Sequence, residues 1–338
     1  MPAVSVLMPC YNASATLSAA LESLNQQTLT DFELVAVDDG STDGTLEMLE
    51  QWAASDVRIH LISQAHQGIV VALNTGLESC QSEYIARMDA DDLAHPERFA
   101  KQTAFLNQHP DIALVGCRIR GYPAEDVREG FSIYLEWQNS LLSDEDIRRE
   151  IFVESPLAHP SVVLRSDPLR EVGGYQEHGW AEDYDLWLRL YLAGKRFAKL
   201  PEVLLDWREH PARLTRQDSR YSLENFLRIK AYYLVRGPLR GKGAVLVWGA
   251  GMIGRRLSKH LLRQGAPITA FIDIDPVKIG RTRRGLPILS PSNLPDWWRA
   301  STNPVVLAAV GARGARKLIR QQLTQFSLQE GRDWWGVA

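Results

Sequence analysis

The chain has 338 residues, 45% hydrophobic and 23% charged, with a formal net charge of −3 at pH 7. This is the composition of a soluble globular protein long enough for two domains, and so small a net charge gives no electrostatic case for nucleic acid. Cys10, Cys80 and Cys117 have neither paired nor metal-ligand spacing and fit a reducing cytoplasm, no signal peptide is recognisable, and no apolar run approaches the roughly 20 residues that cross a bilayer.

The first predicted element is the strand VSVLM, residues 4–8, which breaks at Pro9-Cys10-Tyr11-Asn12 before a helix carrying Leu17, Leu21 and Leu24 on one face. FELVAV, residues 32–37, ends in Asp38-Asp39-Gly40-Ser41-Thr42-Asp43, where Thr42 or Asp43 can cap a helix bearing Leu46, Leu49 and Trp52. A third strand, residues 58–63, leads through Gln67-Gly68 into a helical stretch. The fourth, Tyr84-Ile85-Ala86, delivers RMDADD, residues 87–92. Strands alternating with helices imply parallel pairing in a covered sheet, so all four polar turns fall at the carboxyl edge, where open α/β folds bind ligands. The Asp89-x-Asp91 arrangement suits a hard divalent cation bound together with phosphates, and Asp92 is read as a cap for the next helix, with Pro96 and Glu97 near its first turn.

Downstream, Gly173-Gly174-Tyr175 precedes AEDYDLWLRL, in which Glu182 and Asp183 open an amphipathic helix with Leu186, Trp187 and Leu190 facing a core. Acids at a helix start are favoured by the macrodipole, so a capping role stands beside a catalytic one. Asp185 reads as surface or acceptor-side. His159 in LAHPSVVLR and His210 in WREHPARLT are further candidates.

A helical stretch, residues 223–235, runs into RGPLRGKG, which reads as a linker. The predicted organisation is a domain over 1–220, a helical segment and linker over 221–242, and a small Rossmann-like parallel-sheet domain over 243–338. In the last, AVLVW enters Gly249-Ala250-Gly251-Met252-Ile253-Gly254, and Asp273 follows at about the distance of a ribose-binding carboxylate. Gly249, Gly251, Gly254 and Asp273 are therefore the candidate site for NAD(P) or another nucleotide; no hydride-transfer constellation accompanies them, and glycines in such a turn also serve strand-to-helix packing. In each of the pairs Trp297-Trp298 and Trp334-Trp335, one ring is expected in the core and the other over an interface, which leaves peripheral association with a membrane surface and oligomerisation open.

PCYN, VDDGSTDGT, ARMDADD, GGY and AEDYDLWLRL together resemble the family 2 glycosyltransferases, over about residues 4–215. The resemblance implies a GT-A nucleotide-diphospho-sugar transferase domain in an α/β protein, an inverting reaction, a nucleotide-sugar donor (UDP-sugar first), Mg²⁺ or Mn²⁺, and a glycan or lipid-linked acceptor in surface polysaccharide biosynthesis at the cytoplasmic side. It places Asp183 as general base with Glu182 holding a neighbouring group, Tyr11 on the base, Asp39 on a base N–H and Pro9 shaping that turn. Asp91 becomes the metal ligand, with Asp89 on the metal or the ribose and His210 closing over the diphosphate or joining the metal. Gln67 and Asn74 line the third turn. Where many relatives carry a basic residue before that asparagine this chain has Leu73, which leaves phosphate contact to Arg87 or Arg208.

Overall fold

The computed structural model describes residues 1–211 and 213–338, which form two compact units. The first comprises Met1–Ile147, Pro156–His178 and Glu182–Gln217; the second comprises Arg148–Ser155, Gly179–Ala181 and Asp218–Ala338.

The first unit holds an eight-stranded sheet. Its strands are β1 (Val4–Cys10), β2 (Phe32–Asp38), β3 (Ile59–Ser63), β4 (Tyr84–Arg87), β5 (Leu93–Ala94), β6 (Ile112–Tyr122), β7 (Val163–Arg165) and β8 (Arg196–Arg208), in spatial order β3-β2-β1-β4-β7-β6-β8-β5. The first four run parallel, as the alternation with helices requires, and β7 enters antiparallel to β4. Every residue of β2 is buried, the signature of a strand covered on both faces. Leu17, Leu21 and Leu24 of the helix Leu17–Asn25 all lie in the core.

Strand β1 runs two residues further than the sequence suggests, through Pro9 and Cys10. Pro9 is tolerated because the pairing of β1 with β4 ends at Leu7, so its missing N–H interrupts no ladder on that side. Order reverses between β1 and β4, and the loops after the parallel strands meet at that carboxyl edge.

The second unit holds a six-stranded sheet built from β9 (Ala244–Trp248), β10 (Ile268–Ile272), β11 (Thr282–Arg283), β12 (Leu286–Leu289), β13 (Pro304–Ala308) and β14 (Trp334–Gly336). The order is β11-β12-β10-β9-β13-β14, parallel except for the β11-β12 hairpin. Helix Leu223–Arg236 belongs to this unit, where buried Lys230 donates to the carbonyls of Val153 and Val337 and Tyr232 packs on Trp180. Trp334 and Trp335 are both buried. Alternate residues of a strand face opposite sides of a sheet, so both faces of β14 are covered and neither ring of this pair is left for a partner.

Among the described residues, no helix is long and apolar enough to cross a membrane.

Candidate active site

The loop after β4 gathers carboxylates. Asp89, Asp91 and Asp92 each offer an oxygen, all within 4.8 Å of one another. Beneath them Arg87, only 1% exposed, donates to Asp89 Oδ1 (2.5 Å) and to the Met88 carbonyl. Asp92 does not cap the following helix, which begins at Arg98. It is 1% exposed, its Oδ1 accepts the Arg208 N–H (2.7 Å), and its Oδ2 has no hydrogen-bond partner. Pairing of the short β5 with β8, distant in sequence, draws it inward, a contact invisible to local helix-start signals. Burial, reinforced by the charges of Asp91 and Asp89, pushes its carboxyl well above the ordinary range.

From β8 and the segment after it, Arg208 Nε donates to the Asp91 carbonyl (2.8 Å), its guanidinium lies 4.9 Å from the Tyr122 ring centre, and His210 Nε2 is 3.1 Å from Asp91 Oδ2. Three crowded carboxylates with an unpartnered buried oxygen and an imidazole at their rim form a hard oxygen-rich donor set. The residues fit a divalent cation.

Asp39, at the end of β2, is buried. Its Oδ1 accepts the Gln67 N–H (3.0 Å) and Gln64 Nε2 (2.7 Å), its Oδ2 accepts the Gly68 N–H (2.8 Å), and His66 Nδ1 lies 2.9 Å from Oδ2. This carboxylate therefore ties the second turn to the third. Tyr11, half exposed, stacks on His66 at 4.0 Å between ring centres. His66 and Gln64 belong to no sequence motif; the one local signal for them is an aromatic His directly before Gln67-Gly68.

Asn74 sits on the helix Ile69–Ser79 and spends both ends of its amide on Tyr175: Nδ2 donates to the carbonyl (2.8 Å) and Oδ1 accepts the N–H (3.0 Å). A Cβ at Gly174, which has φ +63°, would come within 2.8 Å of Asn74 Oδ1, so the double glycine allows this close approach. The Tyr175 hydroxyl meets His159 Nε2 at 2.9 Å, and His159, buried against Trp187, is pushed well below its ordinary pKa by burial and then by Arg87. It is a neutral, internal side chain that positions Tyr175.

Glu182 and Asp183 open the helix Glu182–Leu192. Glu182 is buried, whereas Asp183 keeps partial exposure and its Oδ1 accepts the Tyr184 N–H (2.6 Å). Burial first, then the Glu182 charge, raises the Asp183 pKa to about 8; Asp89 adds to the effect, so this acid lies within electrostatic reach of the Asp cluster. Asp185 is not a surface group. It is fully buried and accepts from Arg189 Nε (2.7 Å), whose Nη1 binds the Val172 carbonyl (2.7 Å).

In the second unit, Asp273 accepts the Ala250 N–H (3.0 Å) and Asp275 N–H (3.0 Å) and lies 3.2 Å from Lys278 Nζ. A Cβ on Gly254 would sit 1.8 Å from the Gly249 carbonyl oxygen. Gly254 is thus required for packing the turn, and Gly251 has open space around it.

The profile described as Glycosyl transferase family 2 matches residues 5–173, half of the chain, and includes β1 to β7 with the Asp cluster. The chain belongs to this family. Like its members it is a glycosyltransferase. It is 37% identical over 204 residues to the amylovoran biosynthesis glycosyltransferase AmsE of Erwinia amylovora, a match spanning 60% of this chain and 74% of the relative. It is 34% identical over 230 residues to the putative glycosyltransferase EpsE of Bacillus subtilis, covering 66% and 79% respectively. The fold resembles that of S. aureus TarS 1–349 solved with UDP-GlcNAc (TM-score 0.57, 22% identity, 70% of this chain and 68% of that one). It also resembles the mannosyltransferase PcManGT of Pyrobaculum calidifontis solved with GDP-Man and Mn²⁺ (TM-score 0.51, 21% identity, 69% and 62%). A mixed α/β GT-A architecture with a second parallel sheet is therefore the fold of this family 2 member.

Proposed function

We propose that this protein is an inverting, metal-dependent glycosyltransferase that moves a sugar from a nucleotide-sugar, with UDP-sugar the first candidate, to a hydroxyl of a glycan or lipid-linked acceptor in surface polysaccharide biosynthesis. The observation that carries the reading is the pairing of the Asp89, Asp91 and Asp92 cluster with Asp183, a carboxyl raised to about 8. AmsE is named for amylovoran biosynthesis, which supports a polysaccharide product. The TarS and PcManGT complexes hold nucleotide sugars, one with Mn²⁺, in the same fold.

In this reading Asp91 and Asp89, with His210 beside them, hold Mg²⁺ or Mn²⁺, which when bound offsets the charge developing on the departing diphosphate. Arg208, partly exposed beside Asp91, faces the same phosphates, while buried Arg87 braces Asp89. Tyr11 and His66 offer a flat platform for the base, and Asp39 holds that loop through Gln67 and Gly68. The acceptor oxygen forms its bond to the anomeric carbon as the bond to the diphosphate oxygen breaks, and the hydroxyl proton passes to Asp183. One displacement needs no enzyme nucleophile and inverts the centre. A raised pKa suits a proton acceptor near neutral pH better than it suits a helix cap.

The test is a donor screen: hydrolysis of, and thermal protection by, UDP-, GDP- and dTDP-sugars with Mg²⁺, Mn²⁺ or EDTA. Metal-dependent turnover of a UDP-sugar is expected. Full turnover in EDTA, or no response to any nucleotide sugar by folded protein, defeats the reading.

A further inference from the structure

The near-neutral total charge conceals a strong segregation. Residues 218–338 carry 20 Lys and Arg against 7 Asp and Glu, whereas residues 1–217 carry 18 against 34. In the second unit, part of the excess sits at one edge and the hairpin beside it. The loops after β9 and β10 are joined by the bond from the Ala250 N–H to Asp273, and Arg284 reaches the Arg255 carbonyl (3.0 Å). A Cβ on Gly311, in the loop after β13, would lie 3.4 Å from Ile253, which brings that loop to the same place.

This edge and the adjoining β11-β12 hairpin display Arg255, Arg281, Arg284 and Arg313, all exposed, and none has a carboxylate in ion-pair range among the described residues. Lys278 is already neutralised by Asp273 (3.2 Å) and Asp275 (3.4 Å). At the same edge, Met252, Ile274 and Val277 are exposed by 58%, 74% and 62%. Isolated exposed apolar side chains are ordinary; three at one sheet edge, on a helix start and the loop after β10, close in sequence to unpaired arginines, are not.

We propose that this edge of the second sheet is a docking surface for an anionic lipid bilayer. Unpaired arginines are drawn to the negative headgroup layer, and apolar tips among them enter the acyl boundary. A nucleotide would explain the cations less well, because Asp273 is spent on its own loop and Lys278, and because the three apolar side chains project outward instead of walling a cleft. A polynucleotide would leave those apolar side chains without a role. The inference deepens the reading of a lipid-linked acceptor, but its assay needs no sugar transfer, so its failure is separable from failure of the donor assignment.

The experiment is sedimentation of the full-length protein with vesicles of phosphatidylcholine alone or with about one third phosphatidylglycerol. Binding only to the anionic vesicles is expected, with release at about 1 M NaCl, where the Debye length falls to roughly 3 Å. Each charge removed should weaken partitioning about fivefold, so Arg281→Glu with Arg284→Glu should lose more than about 25-fold. Ile274→Ser with Val277→Ser should weaken binding while leaving its salt dependence in place, and circular dichroism melts establish that both double variants fold. Absence of binding, equal binding to neutral vesicles, wild-type binding by either folded double variant, or displacement of the protein from vesicles by a free nucleotide would each overturn the proposal.

Discussion

Replacing Asp183 by Asn separates a proton acceptor from a helix-start acid. The amide preserves shape and an oxygen for the Tyr184 N–H, so a capping role predicts little change in rate. A base cannot work as an amide, and transfer should fall by about 10²-fold or more, the scale of general-base catalysis. Stability should move in the opposite direction. The carboxyl titrates near 8 in the folded chain and near its ordinary value, 3.8, when unfolded, so the folded state holds the extra proton between these limits. Its favourable contribution is fully present below the unfolded pKa and is lost as pH rises through about 8. One pKa unit is about 1.4 kcal/mol. Allowing for screening at a partly exposed site, the Asn variant should gain at least about 1 kcal/mol over wild type at pH 8 to 9, and little near pH 4.

The assay pairs transfer rates with chemical denaturation across pH 4 to 9 on the same preparations, in roughly one-unit steps to resolve the titration. The wild-type kcat/KM should rise with pH and level off at or below about 8, since a cation held by Asp89 and Asp91 removes part of the field that raises Asp183. The variant should lack that limb. Near-wild-type transfer by Asp183→Asn, or a loss of stability at pH 8, would refute the reasoning and return Asp183 to a structural role.

Asp91→Ala should lower transfer by on the order of a hundredfold and right-shift the Mn²⁺ activation curve, while His210→Ala, at the rim of the cluster, should shift the curve with a smaller rate loss. Asp39→Ala frees the N–H groups of Gln67 and Gly68 together, so calorimetry should show weaker UDP binding; unchanged affinity would remove this loop from the donor site. Asn74→Ala breaks both bonds to the Tyr175 backbone and should cost about 1 to 3 kcal/mol by denaturation, with kcat falling more than donor KM rises. A fragment ending at residue 235 should melt below the full chain, because Val153 and Trp180 lose much of the second unit that they pack in.

The parallel half of the first sheet was legible because its strands are nearly continuous apolar runs closed by short polar turns, a pattern each segment carries by itself. The Asp cluster was legible for the same reason: Asp89, Asp91 and Asp92 are neighbours in sequence. What stayed hidden depends on distant partners. Asp92 looks like a cap until the Arg208 N–H, 116 residues away, claims its carboxylate. Asp185 follows two acids at the mouth of a helix and yet turns inward to Arg189. Trp335 looks spare beside Trp334 because no local signal says that both faces of the last strand are covered. Net charge misled by averaging, since −3 is the remainder of two large opposite excesses.

The raised pKa of Asp183 shows why a site of this kind resists local reading. Its causes are burial within its helix and sheet surroundings, the adjacent Glu182, and Asp89, which lies 94 residues earlier. Arg87 answers these acids from beneath, buried and paired to Asp89, and Glu182 also acts on it. Even with buried Arg98 acting on Asp92 and Asp89, the crowding of Asp89, Asp91, Asp92, Glu182 and Asp183 raises the carboxyls of Asp92 and Asp183, which hold their protons to higher pH. The fold therefore gathers acidic groups where stability alone would disperse them, a cost that the proposed substrate chemistry would explain. A cation at Asp91 and a proton arriving at Asp183 each relieve part of that crowding. In the proposed reaction, holding the diphosphate and deprotonating the acceptor would be electrostatically coupled: Asp89 contributes to the raised Asp183 carboxyl, so a cation held by Asp89 and Asp91 would ease that effect and favour the deprotonated base.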